Sequence, residues 1–207
     1  MSKNSIFIYG ASGHGKVVAS TLVSAGYEVA GFFDDDPGLH GSIFFQSPVL
    51  GGRKAFAILK APDAVMGIGN GGIRKKLAKD FPLTHWIPVK HQAAWVDSSA
   101  IIGHGTVVFA RAVVQPDVRI GRHCIVNTGA TVDHDCQIGD YVHICPGVNL
   151  AGNVIVESGA WIGIGSRVVQ GITIGAGAIV GAGATVIQDV PEGATVVGTP
   201  ARVLRKQ

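Results

Sequence analysis

A strict six-residue period constrains this chain more than any other feature. From Val96 to Val186 every sixth residue is Val, Ile or Leu, sixteen of them without a slip in register. Four residues after each stands a second column of small or aliphatic side chains, opening Ala100, Thr106, Ala112, Val118 and closing at Val190. Across each boundary the two columns are two residues apart, as at Ala100 and Ile102, and residues two apart on a strand point the same way. Each hexapeptide is therefore a very short strand with two inward side chains, followed by a corner that takes Gly, Asp, Asn or Pro. Three strands close a triangular coil, and stacked coils form a hexapeptide parallel β-helix. Five or so coils at about 4.8 Å each would make a column roughly 25 Å tall. The period leaves the hand of the helix open.

Composition excludes several other classes. With 47% apolar and 15% charged residues the chain is not disordered, and its 30 glycines lack the every-third spacing of collagen. A net charge of +3, with no long run of like charge, offers no nucleic-acid arm. Residues 168–188 carry no charge over 21 positions, a length that raises a membrane span. Five glycines and the continuing six-residue period argue against one. Cys124, Cys136 and Cys145 have no metal spacing and are odd in number, which suits a reducing cytoplasm. The opening MSKNSIFIYG reads as no export signal. The histidines show no tight ligand spacing, so no metal is expected.

Residues 1–90 lack the period and follow β-α-β logic. Ile6–Tyr9 reads as a buried strand, followed by Gly10, Gly13, His14 and Gly15 and then helical spacing from Lys16 to Ala25. A second strand from Tyr27 to Phe33 ends at Asp34-Asp35-Asp36, and a third apolar run, Ala64–Ile68, ends in Gly69-Asn70. Open α/β sheets bind ligands at such strand ends. Gly10 to Lys16 also spells the front of a phosphate-binding P-loop, but Val17 stands where Ser or Thr would hold magnesium. A dinucleotide fingerprint is mimicked too, with Asp34 the acid 19 residues after Gly15. Ninety residues hold one mononucleotide half, so one nucleotide is the better expectation. A glycine turn that only packs helix on strand is the bland alternative.

These motifs together carry a resemblance. YGASGHGK at the start, FDDD at the second strand end, IGN at 68–70, VDHDCQIG at 132–139 and VGTPAR near the end are similar to the sugar O- and N-acetyltransferases of the bacillosamine and perosamine type. Sialic-acid O-acetyltransferases are related. The resemblance spans essentially the whole chain. It implies a left-handed parallel β-helix over 91–207 behind a half-Rossmann sugar-nucleotide domain over 1–90. It further implies a homotrimer, acetyl-coenzyme A as donor and a UDP- or GDP-linked 4-amino sugar as acceptor. By position, His134 matches the family's catalytic base and Asp135 the carboxylate that tunes it, where the family usually has Glu. Gly13, His14 and Gly15 match the sugar-nucleotide loop, with Asp34 and Asp35 near nucleobase and ribose and Gly69 and Asn70 beside them. His143, Ile164 and Ala182 match coenzyme contacts.

The register bears on these residues independently. His134 follows inward Val132 by two, so it stands on an outward corner rather than in the core. Flanking carboxylates on Asp133 and Asp135 make a hydrogen-bonded imidazole plausible chemistry. Cys124 and Cys136 fall in the inward column as small hydrophobes, whereas Cys145, His104 and His123 fall at corners, the histidines being candidates to face a partner subunit. Ile164 and Ala182 are 18 apart, one full coil, on a corner one step from that of His134. Arg202, Arg205 and Lys206 in the tail are candidates for coenzyme phosphates, with ordinary surface charge as the alternative. The expected chemistry is direct transfer to an amine with His134 as general base. O-acetylation of a sialic acid, a zinc hydrolase on three histidines and a non-catalytic scaffold are the rivals.

Overall fold

The structure is a computed structural model that describes residues 5–204, so residues 1–4 of the segment read for export and tail residues Arg205 and Lys206 lie outside the described residues. The first domain runs β1 (Ser5–Tyr9), α1 (Gly13–Ser24), β2 (Glu28–Phe33), β3 (Ile43–Phe44), β4 (Ser47–Pro48), α2 (Arg53–Ile58), β5 (Asp63–Met66), α3 (Gly71–Asp80) and β6 (His85–Trp86). Strands β1, β2, β5 and β6 form one parallel sheet in the order β2-β1-β5-β6, while β3 and β4 make a small antiparallel ribbon. Both faces of a parallel sheet are covered, and the runs SIFIY and DAVM are accordingly apolar almost throughout rather than alternating. This sheet is a single β-α-β half, and its strand ends present Gly10–Ser12, Asp34–Asp36 and Gly67–Asn70 on one edge.

The β-helix opens at β7 (Val89–Lys90), which pairs in parallel with Val107–Val108. Three sheets wrap the prism. The first face carries strands at 89, 107, 125, 143, 161, 179 and 195, the second at 95, 113, 131, 149, 167 and 185, and the third at 101, 119, 137, 155 and 173. Seven parallel strands stack on the first face, so the column is taller than the five coils expected. Two local irregularities hid the extra coils. Lys90 occupies the register of the aliphatic column yet is exposed, and the final coil contracts: Ile174 bridges Val190, and Ile179 pairs Thr195, each 16 residues on.

From Ile102 to Val180, the corner residue three after each inward aliphatic residue adopts a left-handed backbone. Glycine fills most of these positions, but Arg111, Asp117, His123, Asp135, Tyr141 and Asn153 sit there with φ between 54° and 62°. Asp and Asn tolerate that region better than other side chains because a short polar group bonds locally. Both inward columns are buried along the prism, Cys124 and Cys136 among them.

Two of the corner residues are buried, and for His123 this overturns the expectation that it could face a partner subunit. Cys145 is only 4% exposed and packs with the core cluster of the prism. His123 is 5% exposed, stacked on Tyr141 and packed edge-on against Trp86, so it is not available to a partner subunit. The cause is the first domain, which lies on the first face of the prism. Outward-pointing Val89, Val107 and Ile125 of that face share one core with Ile8, Val18 and Leu22 of the sheet and α1. Each such aliphatic side chain removed from water contributes roughly 1.5–3 kcal/mol, so the two domains are packed as one body.

Candidate active site

The glycine loop after β1 is shaped by close packing. A Cβ on Gly15 would collide with the Gly10 carbonyl, and one on Gly67 would stand 2.6 Å from that same oxygen. Gly15 is thus a packing glycine, whereas Gly13 faces open space. Asp34 closes the loop from the neighbouring strand: its Oδ2 accepts from Ala11 N–H at 2.7 Å and its Oδ1 from Asp36 N–H at 2.9 Å. Asp35 accepts from the Tyr9 hydroxyl at 2.6 Å and from Arg53 Nε at 2.9 Å. The two acids therefore define the rim of the loop through their own chain. Lys16 stands over the Phe44 ring rather than over the loop, which removes the P-loop arrangement. Asn70 caps α3, its Oδ1 accepting from Ile73 N–H at 3.0 Å.

The loop meets the β-helix at His143. Thr128 N–H donates to Asn127 Oδ1 at 2.8 Å, which turns the Asn127 amide nitrogen toward His143 Nε2 at 3.0 Å. Nε2 must then accept, so the proton sits on Nδ1, which donates to the Gly69 carbonyl at 3.2 Å. His143 is held as a neutral imidazole, and burial together with the Arg74 charge pushes its pKa down to about 4. His14 lies 6.1 Å from it, centroid to centroid, and 5.4 Å from Phe109. Its Nε2 is buried with no partner among the described residues, and burial with Arg74 again lowers its pKa to about 4.

From this junction a groove of about 380 Å³ climbs the prism, lined by His143, Trp161, Cys145, Ile164 and Ala182 among others. The three residues matched to coenzyme contacts thus share one groove, and it abuts the loop of the first domain. The Cys145 thiol in its wall is pushed up to about 12 by burial, which leaves no thiolate for a covalent acyl intermediate.

His134 and Asp135 stand elsewhere, on the corner between the second and third faces. His134 Nδ1–H donates to Asp135 Oδ2 at 2.7 Å, and its backbone N–H donates to Asp133 Oδ1 at 2.8 Å. The bond to Asp135, with the Asp133 charge helping, raises the imidazole pKa. The ring is half exposed, and among the described residues its Nε2 has no hydrogen-bond partner. The short Asp side chain reaches because its own backbone is left-handed, with φ 60°. Among the described residues no hydrogen bond or ring contact joins this pair to the His143 cluster.

Sequence reasoning missed Asn127, Trp161, Arg74 and Gly152. The first two belong to columns visible only by stepping in eighteens. Along the first face the outward residues are Val107, Ile125, His143, Trp161 and Ile179, the face covered by the first domain and the groove. Gly152 lies one coil beyond His134, where a Cβ would stand 2.6 Å from Cε1 and 2.7 Å from Nε2. Its backbone is not left-handed, so alanine fits the chain but not the ring. With His134 as the base that the family resemblance implies, Gly152→Ala should lower kcat about tenfold or more by displacing the ring, with little change in Tm. Unchanged turnover would show that the ring position is immaterial.

Residues 5–81 match the family model of the PglD N-terminal domain, and residues 99–134 that of the bacterial transferase hexapeptide (six repeats). No curated protein matches the sequence at a significant level. Among solved structures, PerB from Caulobacter crescentus, in complex with CoA and GDP-perosamine, is 36% identical over 99% of each chain, with a TM-score of 0.93. The acetyltransferase domain of PglB from Neisseria gonorrhoeae, in complex with acetyl coenzyme A, is 38% identical over 97% of this chain and 99% of its own, with a TM-score of 0.90. WeeI from Acinetobacter baumannii is 34% identical over 96% of this chain and 99% of its own, with a TM-score of 0.84.

Proposed function

Because the chain belongs to the hexapeptide-repeat sugar N-acetyltransferase family, we propose that it moves the acetyl group of acetyl-coenzyme A onto the 4-amino group of a nucleotide-linked, most plainly UDP-linked, amino-deoxy sugar. The observation that carries the mechanism is the corner dyad, with Asp135 fixing the His134 tautomer at 2.7 Å and Nε2 left free. Acetyl-coenzyme A supplies the activated acyl group. The apolar, uncharged groove along His143, Ile164 and Ala182 suits its pantetheine arm. The loops at Gly13–Gly15, Asp34–Asp35 and Gly69–Asn70 hold the nucleotide sugar in our reading, with the buried free Nε2 of His14 as a ready partner. The α/β domain ahead of Val89 serves as the acceptor domain and the β-helix from Val89 on as the transfer domain. His134 Nε2 takes the proton of the attacking amine, and remote grip on the nucleotide orients that amine.

Within one chain the dyad and the groove occupy different corners of the prism. The proposed assembly is a homotrimer in which the dyad of one subunit faces the groove of its neighbour. A monomer in sedimentation at micromolar concentration would exclude it. We place the enzyme in the cytoplasm, where its three free cysteines stay reduced. No helix among the described residues is long and apolar enough to cross a membrane.

The decisive assay is thiol release from acetyl-coenzyme A with a panel of UDP- and GDP-linked 4-amino sugars. Release with a nucleotide amino sugar is the expected result. Release with a free sialic acid alone would make the protein an O-acetyltransferase, and release with none would remove the transfer assignment.

A further inference from the structure

Arg74 is 1% exposed, the bulkiest fully buried side chain among the described residues. Among the described residues no carboxylate lies within ion-pair reach of it. Its five N–H donors are instead matched by five backbone carbonyls. Nε donates to His123 O at 2.8 Å, Nη1 to Ile68 O at 3.2 Å and Gly69 O at 2.5 Å, and Nη2 to Tyr141 O at 2.8 Å and Val142 O at 3.3 Å. Burial lowers its pKa to about 10, so it remains a cation at neutral pH.

A cation beside a nucleotide loop invites assignment as a phosphate ligand. That role is closed to Arg74, since every donor is already spent within the chain. The carbonyls it engages lie on two structures that must keep a fixed distance. Ile68 and Gly69 belong to the loop after β5. His123 and Tyr141–Val142 belong to corners one coil apart on the prism, immediately before the groove residue His143. Gly69 O is shared, receiving Arg74 Nη1 and His143 Nδ1 together. Gly71 packs too closely on the Tyr141 carbonyl for a side chain, its would-be Cβ 2.8 Å away. A residue that merely stabilised the fold would need neither the shared acceptor nor a span across two domains.

We propose that Arg74 is a positioning residue, whose guanidinium clamps the 68–70 loop to the coil corners at 123 and 141–142 and thereby sets the height of the acceptor loop over the coenzyme groove. It acts in a second way, through its charge. Its charge lowers the pKa of both His14 and His143, and an imidazolium at His143 would lose the lone pair that Asn127 needs. The inference rests on the reading of the 68–70 loop as acceptor-binding.

The test compares Arg74→Lys, which keeps the charge and loses the fork, with Arg74→Gln, which loses both. Both should raise KM for the nucleotide sugar roughly tenfold or more while KM for acetyl-coenzyme A stays within about twofold. Ring-nitrogen NMR supplies a readout independent of any substrate. Wild-type His143 should show the Nδ1–H neutral tautomer, its titration should move upward in Arg74→Gln, and Arg74→Lys should largely restore it. Equal rises in both KM values, or a His143 titration indifferent to Arg74→Gln, would overturn the proposal. If no nucleotide sugar is an acceptor for the wild type, the functional reading fails, and the NMR arm still judges the clamp. If neither variant folds, Arg74 is a folding determinant and the positioning role falls.

Discussion

Replacing His134 with alanine should lower kcat by roughly 10²–10⁴-fold, the range for loss of a general base, and leave both KM values close to wild type. The side chain is half exposed on a corner and fills no core position, and among the described residues no hydrogen bond or ring contact joins it to the first domain's loops or to the groove of its own chain. Its removal therefore takes away proton transfer and little else. Asp135→Asn should cost less, and it should move the acidic limb of the pH–rate profile to lower pH. The sign follows from the bond: the carboxylate stabilises the imidazolium and raises its pKa, so without it the neutral base persists at lower pH. Asp133 receives the backbone N–H rather than the ring, and Asp133→Asn should shift the limb much less. Full turnover by His134→Ala, or a limb that follows Asp133 and ignores Asp135, would refute the assignment.

The second large effect is on stability in acid. His14, His123 and His143 are all held neutral, each with a pKa pushed down to about 4 by burial first and the Arg74 charge second. An unfolded histidine titrates near 6.5, so between that value and pH 4 the unfolded chain binds more protons than the folded one. Their contribution is therefore complete above pH 6.5 and is lost as pH falls toward 4. Each shift is worth about 3 kcal/mol, and three together approach the 5–15 kcal/mol that holds a whole domain. The protein should unfold cooperatively before pH 4 is reached, with urea midpoints falling steeply below pH 6.5. His123→Phe makes a sharp control, because Tyr141 shows that an aromatic ring is tolerated at the same left-handed corner. That variant should flatten the acid dependence; an unchanged slope would mean His123 titrates normally.

The solenoid was legible because its core repeats. Any residue of the two inward columns could be assigned from six neighbours on either side, and the structure buries them as that register requires. His134 was legible for the same reason, since outwardness at a corner follows from counting. His123 was not, because its burial depends on which face the first domain covers. That information lies at a spacing of 18, in the apolar run Val107, Ile125, Trp161 and Ile179. Asp34, Asp35 and Asn70 stand where the strand ends suggested, yet their side chains are engaged by Ala11, Tyr9, Arg53 and Ile73. Spacing reveals where a polar group stands but not which neighbour claims it. Arg74 was invisible on that account: nothing in GGIRKKLAKD distinguishes the one buried cation from the lysines around it.

The contracted final coil bears on how such a protein can change length. Through most of the prism, residues 18 apart share a face, so duplication of one whole coil would lengthen the rod by about 4.8 Å without rotating any corner. Gain or loss of a single hexapeptide would instead turn everything beyond it by a third of a revolution, carrying Ile164 and Ala182 away from His143. Only near the end, where the spacing has already dropped to 16, can the chain absorb other lengths, because no groove residue lies beyond that point. Lineages of this protein should therefore differ by whole coils between the dyad and the groove top, and by arbitrary lengths only in the last one.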